Sequence, residues 1–518
     1  MNFAMKINCF GAALLLSNFV VISSFAPSLS PHYCHVQKSW TQLFASESTE
    51  AIETRTLSPR HLAISALTQK VKKNTDLDVV SRLESTKYFQ DSSQRDRAFA
   101  RNLVSTTSRR LGQIDTILSE CCKTYPPKGK HGPTLQACLR VGVAQLLFLD
   151  TPSFAAVKET IDVLKDRSFR VPKPMVSFAN AILRRVDREG EELLDQTDIC
   201  DNVSLFLREQ FEIQYGKDNT QKIVEQLLDE NAHHSVDLSI NSRYSVDDIV
   251  QEFEKYTDKF ESVTKLSNGS IRILKGPDGG AISSWPLYDD GAWWVQDVAS
   301  TLPAIALTKV LEKKCKENGS DMEGLQVVDC CAAPGGKTAQ LLSAGFEVTA
   351  IEANARRSRR LLENLERLQF GEDKCHVVVK QGQEWNPDDS QNIAGILVDV
   401  PCSATGTGNK RPDVLRKDGD LGNLPETQEI LANHCANILN SGGVLVYATC
   451  SLLKRESEEQ VLKLLEKGTM KIIPFEKGEI PGFDGAIDEH GFLRVLPGCL
   501  DDELKQCDGF FVARLEKI

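Results

Sequence analysis

The chain has 518 residues, 41% hydrophobic and 26% charged, which excludes a mostly disordered protein and gives room for about two to four domains. Its formal net charge of −11 argues, taken whole, against a nucleic-acid partner, but the balance is uneven: Pro59 to Arg188 carries 23 Lys/Arg against 12 Asp/Glu, the remainder 38 against 60. The fifteen cysteines are scattered, without CxxC pairs or a companion His cluster, so a zinc site and a disulfide framework are both disfavoured, no metal is expected, and a reducing compartment fits best.

At the N-terminus Lys6 precedes "CFGAALLLSNFVVISS", an apolar run of about 15 residues, shorter than the ~20 of a membrane-spanning helix and the length of a signal-peptide core. "FAPSLSPHYCHVQKSWTQLFAS", residues 25–46, follows, Ser-rich and lacking Asp or Glu, which is transit-peptide composition. Together, with Phe25-Ala26-Pro27 at the junction, they resemble the bipartite presequence of algae whose plastids lie behind an endomembrane. Residues 1–55 are therefore read as an address, with the plastid as destination and no stable membrane association once they are removed. Secretion by the signal alone, another organelle and the cytoplasm stay open.

Residues 56–190 read as an all-α domain. "SFAAVKETIDVLKDR" spaces Phe154, Val157, Ile161 and Leu164 at steps of three, four and three, and "PMVSFANAILRRV" repeats the stripe with Met175, Phe178, Ile182 and Val186. "LRVGVAQLLFLDTPSFAAVKET" and "FANAILRR" also resemble helices of the NusB antitermination family, a small helical RNA-binding fold. With the positive balance, that resemblance implies an RNA-docking domain in which Arg109, Arg110, Arg184 and Arg185 are candidate phosphate contacts. A basic surface that is merely solvated is the alternative.

Residues 191–315 are mixed and acidic and are read as connecting the larger domains. "SVDLSINSRYSVDDIVQEFEKY" suggests a strand and then a helix, "GAWWVQDVAS" a turn into another element, and "EKKCKENGSDMEG", 312–324, a polar loop. From 316 to 518 the chain alternates: "LQVVD", "EVTAIE", "HVVVK", "GILVD" and "GVLVYA" are short β-branched runs separated by helical stretches such as 355–369 and 426–439. That is an α/β domain, a parallel sheet with helices on both faces, whose ligands sit beyond the strands' carboxyl ends. After the first strand, "DCCAAPGGKT" offers a tight Gly335-Gly336 turn into a helix. It is not a phosphate-binding P-loop, since Cys331 stands where that motif needs glycine. Glu352, ending the second strand, is placed to accept both hydroxyls of a ribose, so an adenosine-containing ligand fits.

"DCCAAPGGKT", "DVPCSATGTG" and "YATCSLL", in this order and spacing, resemble the Nop/Sun family of RNA cytosine-5 methyltransferases. With the NusB-like segment in front, and "GFFVARL" at 509–515, the chain from about 57 onward resembles the bacterial Sun/Fmu type acting on small-subunit ribosomal RNA. The resemblance implies a Rossmann-like domain using S-adenosylmethionine, bound by Cys331, Ala332, Ala333, Pro334, Gly335, Gly336, Lys337, Glu352, Gln383 and Asp399. It implies Cys450 as the nucleophile that adds to carbon 6 of cytosine, Cys402 as the thiol that assists release, and Asp399 at the N3 edge of the base. The chemistry agrees: carbon 5 is too weak a nucleophile to take a methyl group unaided, and a thiolate adduct splits the step. A free thiol, with pKa about 8.5, is only a few per cent ionised near neutrality, so local activation of Cys450 is expected. Asp399 would act protonated, which burial favours.

Four positions depart from the family's habit. Glu352 replaces Asp but keeps the carboxylate. Gln383 replaces an adenine-side Asp and still accepts from an amino group without charge assistance, so weaker cofactor binding is expected; an unchanged cofactor Kd on Gln383→Asp would contradict it. Ser457 replaces a frequent Asn and Ser239 a frequent Arg, both bearing on RNA placement. Lys410 and Arg411, in "NKRPD", are further RNA contacts or else a solvated turn. The target base must leave its stack. RNA, most plausibly rRNA, is the expected partner of a monomeric enzyme. A tRNA methyltransferase and a non-catalytic ribosome-assembly factor that retains the fold are the alternatives.

Overall fold

The computed structural model describes residues 57–73, 79–229, 235–276, 279–371, 373–388, 391–417, 419, 421–501 and 503–518; the presequence lies outside them. Among the described residues no helix is long and apolar enough to cross a membrane, and no group of three His, Cys, Asp or Glu could hold a metal ion.

The basic segment folds as helices. The principal ones are Pro59–Lys73, Gln94–Arg109, Leu111–Cys121, Gly132–Leu147, Ser153–Leu164 and Lys173–Asp195. Gly132–Leu147 runs through the middle with Leu135, Ala137, Leu139, Val141 and Val143 buried. At Gly142 a Cβ would stand 2.5 Å from Leu183 Cδ2, so the glycine permits the close crossing of these two helices. The predicted stripes are half right. Val157, Ile161, Leu164, Ile182 and Val186 are buried, but Phe154 is 72% exposed and Phe178 38%, and Val176, Ala179 and Leu183 complete the buried face instead. Phe154 lies at an open groove between Ser153–Leu164 and Lys173–Asp195, lined also by Val157, Ile161 and Val176. The last helix also runs to Asp195, past the boundary expected at 190.

The connecting segment does more than connect. Helices Leu205–Tyr215 and Lys217–Leu227 bury Leu207, Phe211, Ile223 and Val224 against Val414, Leu415, Leu452 and Leu453, residues of the chain just beyond the two cysteine motifs. A four-stranded antiparallel sheet follows, ordered β2-β3-β1-β4, from β1 (Ser235–Ile240), β2 (Phe260–Lys265), β3 (Ile271–Lys275) and β4 (Trp293–Val295). The expected strand and helix are present as β1 and Val246–Glu254. Phe253, Phe260, Trp285 and Trp293 form its core, with ring centroids 5.1 to 6.1 Å apart.

Two expectations about the next stretch fail. Residues 312–318 are not loop but the end of the helix Leu302–Asn318, stopped by Gly319 in a left-handed conformation, φ 63°. That helix belongs with the large C-terminal sheet: Leu302, Ala306, Leu307, Val310 and Leu311 share a core with Val327, Leu397, Val444 and Val446. The C-terminal domain therefore begins near 302, not 316. The short polar tail of an amphipathic helix reads like a loop when its apolar half is assigned elsewhere.

The large sheet is ordered β10-β12-β9-β8-β5-β6-β7, with β11 on β12. Its strands are β5 (Gln326–Cys330), β6 (Glu347–Ile351), β7 (Cys375–Val378), β8 (Ile393–Asp399), β9 (Val444–Thr449), β10 (Met470–Ile472), β11 (Leu493–Val495) and β12 (Phe510–Lys517). Strands β5 to β9 pair in parallel and β12 is antiparallel to β9. All five predicted strands and the intervening helices, including Ala355–Arg367 and Leu424–Ile438, are where the sequence places them. The expected doubly wound, Rossmann-like α/β domain behind an all-α domain is what forms. Strand order reverses between β5 and β8, the position where such sheets open a crevice.

Candidate active site

Asp399 ends β8 opposite Ala448 of β9, so the chain leaving each strand carries a cysteine over the same edge. Cys402 Sγ and Cys450 Sγ stand 3.4 Å apart. Backbone contacts flank this approach: Val400 N–H donates to Ala448 O at 3.0 Å and Gly406 N–H to Cys450 O at 2.9 Å. A Cβ on Gly406 would lie 2.3 Å from Gly509 O and 2.7 Å from Cys450 O, so this glycine is required for closeness rather than for its φ. Within the pair one thiol can donate to the other's thiolate. That contact pulls Cys402 below the usual thiol range, while the same contact, followed by burial, pushes Cys450 well above it. The two thiols therefore exchange protons with one another rather than ionising independently.

The loop after β5 is shaped by Cys331, a non-glycine residue at φ 67°, and by Gly335 at φ 105°. The helix Gly336–Ser343 starts there. Arg357 and Asn364 hold it through Ala333 O at 2.7 Å and Pro334 O at 2.8 Å. Lys337 reaches across to donate to Asp399 Oδ2 at 2.8 Å and lies 5.4 Å from the Phe510 ring. Burial alone would lower the Lys337 pKa, but Asp399 outweighs it and the pKa is raised. The burial expected of Asp399 is not found: its side chain is 28% exposed and its counter-ion is Lys337.

These residues open on a cleft of about 420 Å3 lined by Cys331 to Lys337, Asp329, Asp399, Gln296, Asp297, Lys410 and Asp508, among others. Glu352 lies at the end of β6, 2% exposed. Its Oε1 accepts from Asn354 N–H at 2.9 Å, and its Oε2 is buried without a hydrogen bond; Arg357 approaches it only to 3.4 Å. A buried acceptor left in want of a donor is what a ribose hydroxyl would satisfy. Gln383 sits half-buried in the turn Gly382–Glu384 after β7, at the third strand edge.

Several residues not singled out from the sequence complete the wall. Lys410 bridges Asp297 Oδ2 at 2.7 Å and Asp508 Oδ2 at 2.8 Å while its side chain stays 53% exposed, so it is a counter-ion in the cleft wall that also faces solvent; Arg411 beside it is exposed. Burial pushes Asp508 up to about 7, helped by Asp297. For Asp297 burial acts the same way, but Lys410 and the N–H groups of Asp508 and Ala299 outweigh it and hold the pKa below the ordinary range. Asp508 was invisible for a topological reason. A parallel sheet carries its ligand groups after its strands, whereas β12 runs antiparallel to β9, so the residues before it reach the same edge. Asp297 follows the apolar "WWV" of β4 and carried the signal that was used at β5 and β8.

The four arginines expected at phosphates divide between internal and surface positions. Arg109 is 1% exposed and donates to Asn409 O at 2.8 Å, tying the helical domain to the loop that carries Lys410. Arg110 packs over Phe148, Arg185 binds Glu189 at 2.7 Å, and Arg184 is exposed. Long cations at helix ends reach neighbouring carbonyls and rings, which sequence cannot separate from solvent-facing ones. Ser239 donates to Gln296 Oε1 at 3.0 Å and Ser457 to Leu453 O at 2.9 Å; both are internal.

Asp329 gives a pH-dependent prediction. It is 1% exposed, takes the Thr338 hydroxyl on Oδ2 at 2.6 Å, and leaves Oδ1 without a partner. Burial pushes its pKa up to about 7 from 3.8. A raised carboxyl pKa means that the folded state holds a proton the unfolded state has released, so stability falls as pH rises from about 4 to about 7. The loss is on the order of 4 kcal/mol at 1.36 kcal/mol per unit. Asp329→Asn should therefore gain stability relative to wild type more at about pH 8 than at about pH 4. Denaturant melts at both pH values test this, and an equal effect at each would contradict it.

Comparison with known proteins agrees with this architecture. Residues 320–516 match the family described as 16S rRNA methyltransferase RsmB/F, and 57–188 match the NusB family. The ribosomal RNA small subunit methyltransferase B of Serratia proteamaculans is 30% identical over 439 residues, 82% of this chain and 92% of that protein. Its counterpart from Photorhabdus laumondii is 28% identical, covering 89% and 99%. The crystal structure of PH0851 superposes with a TM-score of 0.65 at 21% identity, covering 89% of this chain and 100% of that one, a likeness of fold.

Proposed function

The chain belongs to the RsmB/F family of 16S rRNA methyltransferases and is an S-adenosylmethionine-dependent rRNA cytosine-5 methyltransferase, and we propose that Cys450, Cys402, Asp399 and Lys337 divide its chemistry. The observation that carries this division is the 3.4 Å approach of two thiols from adjacent strand ends beside the Lys337–Asp399 pair.

The loop Cys331–Lys337 and Glu352, with its unsatisfied Oε2, fit the cofactor and would hold it, Gln383 standing on the adenine side. When bound, S-adenosylmethionine supplies an electrophilic methyl group. The protein's own work is to make carbon 5 nucleophilic. Cys450, as its thiolate, adds to carbon 6 of a cytosine drawn out of its stack. Asp399, fixed by Lys337, meets the N3 edge of the base, and the Lys337 cation beside it offsets the negative charge that develops there as the ring is attacked. After transfer the carbon-5 proton passes to the Cys402 thiolate, the electron pair of that C–H bond re-forms the carbon 5–carbon 6 double bond, and Cys450 leaves as its thiolate; Cys402 is the nearest sulfur to it.

The experiment is to incubate the chain lacking residues 1–55 with small-subunit rRNA and S-adenosylmethionine and to map 5-methylcytosine by bisulfite sequencing. A single modified cytosine is expected. RNA binding without methylation would leave the assembly-factor reading, and modification of tRNA in preference to rRNA the tRNA reading. We also propose that residues 1–55 direct the enzyme to a plastid, on their acid-poor, Ser-rich composition behind a signal core. A fluorescent protein carrying this segment should enter the plastid of a suitable alga, and its secretion would refute the address.

A further inference from the structure

Each motif cysteine is followed by a serine, Ser403 and Ser451, and both hydroxyls donate to one carboxylate. Glu456 is fully buried. Its Oε2 accepts from Ser451 Oγ at 2.5 Å and from Ser403 Oγ. Its Oε1 accepts from Ser403 N–H at 2.9 Å and Gln428 Nε2 at 3.0 Å. Gln428 Nε2 also donates to Pro401 O at 2.9 Å, on the other side of Cys402. Tyr447, from β9, donates to Glu456 O at 2.7 Å, which anchors the residue that does the gripping. Leu453 N–H donates to Ser451 Oγ at 3.1 Å, so that hydroxyl's own proton is directed at the carboxylate.

We propose that Glu456 is the positioning residue that sets the distance between the two thiols, acting through Ser403 and Ser451. Two loops from different strands meet at the sulfurs, yet nothing covalent joins them. Their common attachment is an acceptor with four donors, in a buried setting where an unmade hydrogen bond is costly. Loosening it lets the loops separate without touching the cofactor loop or the helical domain. The catalytic consequence rests on the methyltransferase reading; the distance between the thiols does not.

Glu456→Gln preserves shape but offers one acceptor where there were two, and brings an amide donor against the serine hydroxyls. For a misplacement on the order of 1 Å, kcat should fall about 10²-fold while the KM for rRNA and the Kd for S-adenosylmethionine stay within about threefold. Independently of methylation, diamide oxidises neighbouring thiols to a disulfide, taking two electrons and two protons from the pair. The Cys402–Cys450 cross-linked peptide, followed by mass spectrometry on the free protein, should form at least about tenfold more slowly in Glu456→Gln. A folded variant that cross-links at the wild-type rate overturns the proposal. If Glu456→Gln does not fold, Ser403→Ala and Ser451→Ala, which each remove one hydroxyl, are measured in the same way, and wild-type cross-linking in both overturns it. Wild-type protein that fails to methylate rRNA, while Glu456→Gln still slows cross-linking, sinks the catalytic reading and leaves the clamp standing.

Discussion

Cys450→Ala is expected to abolish methyl transfer, by on the order of 10⁴-fold or more, the scale seen when a covalent nucleophile is removed, and to leave no protein–RNA adduct on a denaturing gel. Cys402→Ala should also fail to turn over, but by accumulating that adduct. The asymmetry follows from the division of labour, since one thiol makes the bond to carbon 6 and the other assists in breaking it. The 3.4 Å separation makes the opposite assignment geometrically conceivable, so the pair of variants discriminates between them. An adduct trapped in Cys450→Ala and absent from Cys402→Ala would reverse the roles. Without Cys402, burial together with Asp399 and Asp508 still pushes Cys450 upward, so the trapped adduct should form faster as the pH is raised above neutrality. A flat profile would mean that thiolate formation does not limit the attack.

What the sequence disclosed and what it withheld follow from periodicity and topology. Five parallel strands were legible because each is a short β-branched run bounded by polar chain, and the site residues at their ends were legible because such sheets bind ligands at one edge. Asp508 escaped because β12 enters that edge from the opposite direction. Glu456 escaped because it follows Cys450 by six residues in a stretch of charged residues, "KRESEEQ", where a solvated surface is the ordinary reading; only the fold shows it to be fully buried. The basic balance of the helical domain was legible as composition but not as placement. Arg109 is spent inside the molecule on Asn409, whereas Arg185 pairs with Glu189 at the surface. Lys410, though 53% exposed, is held by two carboxylates that no local pattern ties to it.

Asp399→Asn is expected to lower kcat by about 10²- to 10³-fold, the usual cost of removing one group aimed at charge that develops in the transition state. Two effects add in that number. The base loses the group meeting its N3 edge, and Lys337, 14% exposed, loses its counter-ion. With Asp399 gone, burial is no longer outweighed by its largest opponent, so the Lys337 pKa, now raised, must fall. A cation that also faces Cys450 then weakens as a partner for its thiolate. The two contributions separate in a double-mutant cycle with Lys337→Met. If Asp399 acted solely by holding Lys337, the double variant would be no worse than Lys337→Met alone. If each group also meets the base or the thiolate directly, the double variant loses further activity while a coupling energy remains. Effects that simply multiply would show that the 2.8 Å contact in the unliganded enzyme is broken before chemistry begins, with Lys337 and Asp399 acting on the substrate separately.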